Sequence, residues 1–131
     1  MKKISNSEFL IFVFSVLLYS CAKEGKGGKV EVDVIVRHHE KLIPAALVYI
    51  KYGATEFPGK DVSKYDDNKS TGTAGEEIGR THFSELKWGD YFFYAAGYDS
   101  SLKGYVSGGT PLKIKWKERK QAITLNLPVK E

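Results

Sequence analysis

Residues 30–131 predict an all-β domain, a seven-stranded Greek-key-type β-sandwich, on three observations. Apolar and polar residues alternate with a period of two through most of this stretch, the pattern of strands with one buried face. Clusters containing Gly or Pro interrupt the alternation at short intervals. No window sustains a helical period. Two further segments precede the domain: a cleaved leader at residues 1–20 and a flexible tether at residues 21–29.

The first strand is the clearest. Val30, Val32, Val34 and Val36 share one face, with Glu31, Asp33 and Ile35 on the other. After Pro44, Ala46, Val48 and Ile50 alternate with Leu47, Tyr49 and Lys51 as a second strand. A third covers residues 80–86, with His82 and Ser84 opposite Thr81 and Phe83. Residues 91–96 form an aromatic-rich fourth and residues 105–107 a short fifth. In the sixth, Leu112, Ile114 and Trp116 alternate with Lys113, Lys115 and Lys117. Residues 122–129 form the seventh, with Ile123, Leu125 and Leu127 inward. Gly53, Gly72, Gly75, Gly89, Gly97, Gly108-Gly109 and Pro111 read as the turns between them.

The leader has a charged start in Lys2 and Lys3, then nine apolar residues around Ser15 in the run 9–18, then Tyr19-Ser20 before Cys21. The apolar run is too short to cross ~30 Å of hydrocarbon as a helix. Residues 22–29, AKEGKGGK, read as flexible chain with a typical span of ~16 Å. Their GKGGK stretch lacks the spacing of a phosphate-binding loop.

Leu18-Tyr19-Ser20-Cys21 resembles the lipobox of bacterial lipoproteins: an aliphatic residue, two residues of which the second is small, then Cys. The resemblance implies diacylglycerol on the Cys21 sulfur, cleavage before Cys21, and acylation of the new amino group. It thus implies a partner, the membrane, reached through a lipid anchor far stronger than a single acyl chain provides. Ala22 in place of the inner-membrane retention Asp points to the outer membrane, with the domain facing the periplasm or the exterior. Cys21 is the only cysteine in the chain, so no internal disulfide is available.

Removing residues 1–20 takes away Lys2, Lys3 and Glu8, leaving 18 Lys+Arg against 15 Asp+Glu. Basic and acidic residues are interspersed, which argues against nucleic acid as a partner.

Four sets of residues also resemble the carboxypeptidase-regulatory and transthyretin-like sandwich superfamily. They are residues 44–50 (PAALVYI), 71–75 (TGTAG), 83–91 (FSELKWGDY) and 96–99 (AGYD), with Gly72 where the superfamily usually has Asp. The resemblance implies the sandwich and leaves function open, because this architecture hosts many unrelated activities. One branch hydrolyses 5-hydroxyisourate and ends in Tyr-Arg-Gly-Ser, whereas this chain ends Leu127-Pro128-Val129-Lys130-Glu131. Another branch forms Lys–Asn crosslinks in adhesins, for which Asn126 is available.

Independently of any family, Gly89 is expected at positive φ. Tyr91 is then expected to enter the core while its hydroxyl bonds backbone near the turn, a structural role.

Candidate site residues are few. Adjacent strand residues point to opposite faces, so His38 and His39, next to Glu40, read as a surface pair rather than shared metal ligands. Asp61, Asp66, Asp67 and Asn68 lack calcium-loop spacing and read as a solvated acidic turn. The chain therefore implies no metal and no cofactor. Residues 53–70 form the longest aperiodic stretch, and Phe57, Pro58 and Tyr65 predict that it packs on something. This stretch and residues 100–110 are the expected binding loops. Phe92 and Tyr94 form an outer aromatic row to be covered by a loop, the second sheet or a partner.

There is no Gly-x-Ser-x-Gly elbow and no HExxH. The leading expectation is a non-enzymatic, lipid-anchored binding or assembly module of the cell envelope, with a protein or carbohydrate partner. One alternative is a small envelope hydrolase or sugar-active enzyme built on His82, Asp90 and loop carboxylates. The other is a structural subunit of pilus or adhesin type.

Overall fold

The structure, a computed structural model, describes residues 24–131. The leader and Cys21 lie outside the described residues.

Eight strands form two sheets packed face to face. In chain order they are β1 (Lys26–His38), β2 (Lys41–Leu42), β3 (Leu47–Tyr52), β4 (Asp67–Ser70), β5 (Arg80–Leu86), β6 (Gly89–Asp99), β7 (Gly104–Ile114) and β8 (Ala122–Val129). Sheet A has β1 at its centre, antiparallel to β2 and β5 and parallel to β8. Sheet B runs β4-β3-β6-β7, every pair antiparallel. The sheets meet along one seam, where Ser107 of β7 and Lys130 exchange two backbone hydrogen bonds of 2.9 Å.

The core is the set of inward positions the alternation picks out. Val30, Val32, Val34 and Val36 of β1 face Val48 and Ile50 of β3 and Tyr91, Phe93 and Ala95 of β6 in one buried cluster. Phe83 and Phe93 meet edge to face across it, ring centres 5.6 Å apart. Phe83 and Leu86 are three residues apart yet both buried. Strict alternation would turn Leu86 outward. An irregularity in the β1–β5 register coincides with Glu85 at φ +59°, and this bulge absorbs one residue and restores Leu86 to the core.

Several expectations need correction. β1 starts at Lys26, so residues 26–29 belong to the domain and not to a tether. Gly25 is buried, its N–H donating to the Tyr91 hydroxyl at 2.9 Å. The predicted fifth and sixth strands are one, β7. Gly108-Gly109 is no turn: a Cβ on Gly108 would lie 2.2 Å from the Pro128 carbonyl oxygen, and one on Gly109 2.5 Å from the Phe92 ring. The two glycines admit β8 and that ring within a continuous strand. Pro111 is tolerated because β7 is at the end of its sheet. Residues 100–110 are therefore not a loop, since only 100–103 form the β6–β7 turn. Trp116 leaves the strand and opens a 3₁₀ turn, Trp116–Glu118.

Two further strands, β2 and β4, were not anticipated. β2 has only two residues. β4 reads DNKS, with no apolar residue to alternate, and pairs at the sheet edge with Leu47–Ile50.

Candidate functional site

The aromatic row on β6 is covered from within the chain. Phe92 and Tyr94 point away from the core, and both are buried. The segment linking β3 to β4 crosses this outer face of sheet B. Phe57 lies 5.9 Å from Phe92 and 5.5 Å from Tyr94, and Tyr65 stacks on Tyr94 at 5.9 Å. Tyr49 of β3 completes the cluster beside Tyr65 and Tyr94. The expectation that Phe57 and Tyr65 pack on something is met by these contacts.

The loop is pinned at several points. The Tyr65 hydroxyl donates to the Gly59 carbonyl at 2.8 Å. The Tyr52 N–H donates to Asp66 Oδ2 at 2.7 Å, and the Asp66 N–H to the Ile50 carbonyl at 2.9 Å. Asp61 caps the short 3₁₀ turn Val62–Lys64, accepting from the N–H and the hydroxyl of Ser63. Those bonds hold the Asp61 carboxyl below the usual carboxylate range. Asp67 accepts from the Asn68 N–H. Each carboxylate thus has a local task. Among the described residues no three His, Cys, Asp or Glu side chains gather as a metal site.

Covering leaves an opening. Between the loop and the β7–β8 seam lies a groove of about 340 Å³, walled by Phe57, Phe92 and Tyr94, floored by Gly108 and Gly109, and flanked by Lys60, Lys130 and Glu131. Phe57 is 50 % exposed in it. An apolar wall with a few charged groups at the rim is the composition of a binding site. The loop and the aromatic row were visible in the sequence. The seam was not, because it depends on the last residues of the chain reaching β7.

The remaining candidates scatter. His38 is not half of a surface pair, since it ends β1 and is 3 % exposed. Its Nδ1 lies 2.8 Å from Asp99 Oδ2. A carboxylate can only accept, so the His38 proton sits on Nδ1. Asp99 also receives Lys41 Nζ at 3.0 Å and, from Ser101, the N–H at 2.9 Å and the hydroxyl at 2.6 Å. The Ser101 hydroxyl above all, then His38 and Lys41, hold the Asp99 carboxyl far below the usual range. His39 lies in the following turn at φ +55°, exposed as expected.

His82 points outward from sheet A, Nδ1 bonded to Asp33 and Nε2 3.3 Å from Glu77. Both nitrogens face carboxylates, and the bond to Asp33 first, with Glu77 second, raises its pKa above the ordinary 6.5. Asp90 is the second residue of β6 in the other sheet, where its carbonyl accepts from the Gly53 N–H at 2.8 Å. It does not line the groove that holds His82, Asp33 and Glu77. Asn126 is exposed on β8.

Gly89 has φ +137°. The Tyr91 ring is fully buried, and its hydroxyl donates to the Lys87 carbonyl at 2.7 Å while accepting from the Gly25 N–H. This is the structural role expected for it, and burial pushes the phenol up to about 12. Thr71 is buried too. Its hydroxyl accepts from the Ala46 N–H and donates to the Ile43 carbonyl, both at 2.9 Å, bracing the turn before β3. Next to it, a Cβ on Gly72 would lie 2.5 Å from the Glu77 carbonyl oxygen, so that turn has no room for a side chain.

The class these features define is a two-sheet, all-β sandwich with an aromatic groove at one sheet seam. No protein family matches the chain, and neither does any curated protein.

Proposed function

We propose that this protein is a lipid-anchored module of the bacterial cell envelope, non-enzymatic, whose aromatic groove binds a segment of an envelope protein or carbohydrate. On this reading Cys21 carries the lipid, the outer membrane is its address, and the sandwich belongs to the carboxypeptidase-regulatory and transthyretin-like group. The observation that carries the binding role is the half-exposed Phe57 ring beside the rings of Phe92 and Tyr94, with Lys60 and Lys130 at the rim. Stacked aromatic surface offers apolar area at low entropic cost, and two lysines supply hydrogen-bond donors to oxygen-rich ligands. Against a hydrolase built on His82 and Asp90 stands their placement in different sheets.

The test is a photocrosslinking amino acid at position 57 in the native lipidated protein, with a control at Lys103 in the β6–β7 turn. A discrete product from position 57 and none from 103 supports the groove. Equal or absent products at both positions remove it. Purified protein that turns over a small metabolite, with loss on a single substitution, would overturn the non-enzymatic reading.

A further inference from the structure

We infer that the aromatic groove takes an acidic polysaccharide, a pyranose ring packed on Phe57 with its uronate carboxylate met by Lys60 and Lys130. The inference deepens the groove reading proposed above and rests on it.

Charge sets the sign of the ligand. Lys60 and Lys130 are both exposed at the rim, and neither ammonium has a counter-charge or hydrogen-bond partner among the described residues. Lys130 is held by its backbone, through the two bonds to Ser107, which leaves its side chain available. The side-chain carboxylate lining the groove is that of Glu131, 70 % exposed, with Oε1 3.8 Å from His38 Nε2. Two cations to one carboxylate favour an anionic ligand, and the carboxylate remains an acceptor for sugar hydroxyls.

Backbone chemistry argues for a glycan over a peptide. An extended peptide gains affinity by adding a strand to a free sheet edge. Here that edge is spent: the outward N–H and C=O of Ser107 both bond Lys130, and the Pro128 carbonyl lies against Gly108. Pro128 itself has no N–H to offer. What the groove presents instead is ring surface. Phe57 is inclined 42° to Phe92 and 43° to Tyr94, so it stands as a wall over a floor without side chains, Gly108 and Gly109. A pyranose packs its C–H groups on such a ring, whose face carries the negative end of the quadrupole. A uronate bears its carboxylate on the sugar ring itself, so the packed sugar brings that charge to the rim where the lysines are.

The purified native protein is titrated calorimetrically with hexamers of glucuronate and of galacturonate, with their neutral parents of glucose and of galactose, and with hexaglutamate. The expected result is an acidic hexamer bound about tenfold more tightly than its neutral parent, a difference that shrinks as salt rises. K60Q/K130Q should bring the acidic hexamer down to its neutral parent. Phe57→Ala should weaken both, and K103Q in the β6–β7 turn should change neither. Equal affinity for acidic and neutral hexamers overturns the acidic ligand. Binding of hexaglutamate alone, or of no hexamer, overturns the polysaccharide. In that case a crosslink from position 57 in the same protein leaves the groove standing, and its absence removes the groove as well.

Discussion

The two ends of the sandwich solve the same problem, closing a sheet of strands, with opposite chemistry. At the far end, below the β1–β2 and β6–β7 turns, charge is internal: Asp99 is 2 % exposed and accepts from His38, Lys41 and Ser101. At the N-terminal end the closing bonds are neutral, from one phenol to the backbone of Gly25 and Lys87, and Trp88 packs partly buried against the core beside the exposed Trp116. An ion cluster that satisfies itself stabilises a fold and has little left for a partner.

The largest effect should follow from breaking the neutral end. Tyr91→Ala removes a fully buried ring from the core and should cost about 3–5 kcal/mol. Tyr91→Phe keeps the ring and should cost about 1–3 kcal/mol, because the Gly25 N–H loses its buried acceptor. Urea unfolding of the chain from Ala22 onward measures both. Equal stability of Tyr91→Phe and wild type would show that the phenol does not hold Gly25.

Breaking the ionic end should instead appear in the pH profile. The folded pKa of Asp99 lies below its ordinary 3.8, so its ionised form adds stability that is complete above that pH. The contribution is lost as pH falls toward the folded value. Asp99→Asn should be less stable than wild type at neutral pH and should show a flatter decline below pH 3.8. Parallel acid limbs for the two proteins would contradict the cluster.

The smallest effect belongs to the outer face of sheet A, between the two ends. His82 has a raised pKa, so its bridges to Asp33 and Glu77 contribute fully below pH 6.5 and fade as pH rises through the folded value. The side chain is 55 % exposed, so solvent screens the pair and His82→Ala should cost no more than about 1 kcal/mol at pH 6. Thermal unfolding at pH 6 and pH 9 should show wild type and variant converging at the higher pH.

The contrast between the ends also marks what was legible in the sequence. β1 was readable because four valines in alternation fix both its register and its buried face. Tyr91 and Gly89 were readable because a turn glycine two residues before an aromatic has one economical geometry. β4 was not, since DNKS carries no apolar signal and its strand state comes from pairing with β3. Gly108-Gly109 misled for a related reason: glycine marks a turn and a close approach alike, and only β8 lying against Gly108 and the Phe92 ring against Gly109 distinguish them. His38 looked like a surface residue because its partner Asp99 is 61 residues away. Half of the groove was visible as aromatics, and the other half was hidden in the long-range pairing of Ser107 with Lys130.

Everything proposed for this protein's place in the cell turns on Cys21. The direct measurement is the intact mass and membrane partitioning of the wild-type chain beside Cys21→Ala. The account predicts a wild-type protein that begins at Cys21, carries the added mass of its acyl chains and partitions into the membrane fraction. Cys21→Ala should lack that mass and accumulate unprocessed or mislocalised. Identical processing, mass shift and partitioning in the two proteins would contradict it.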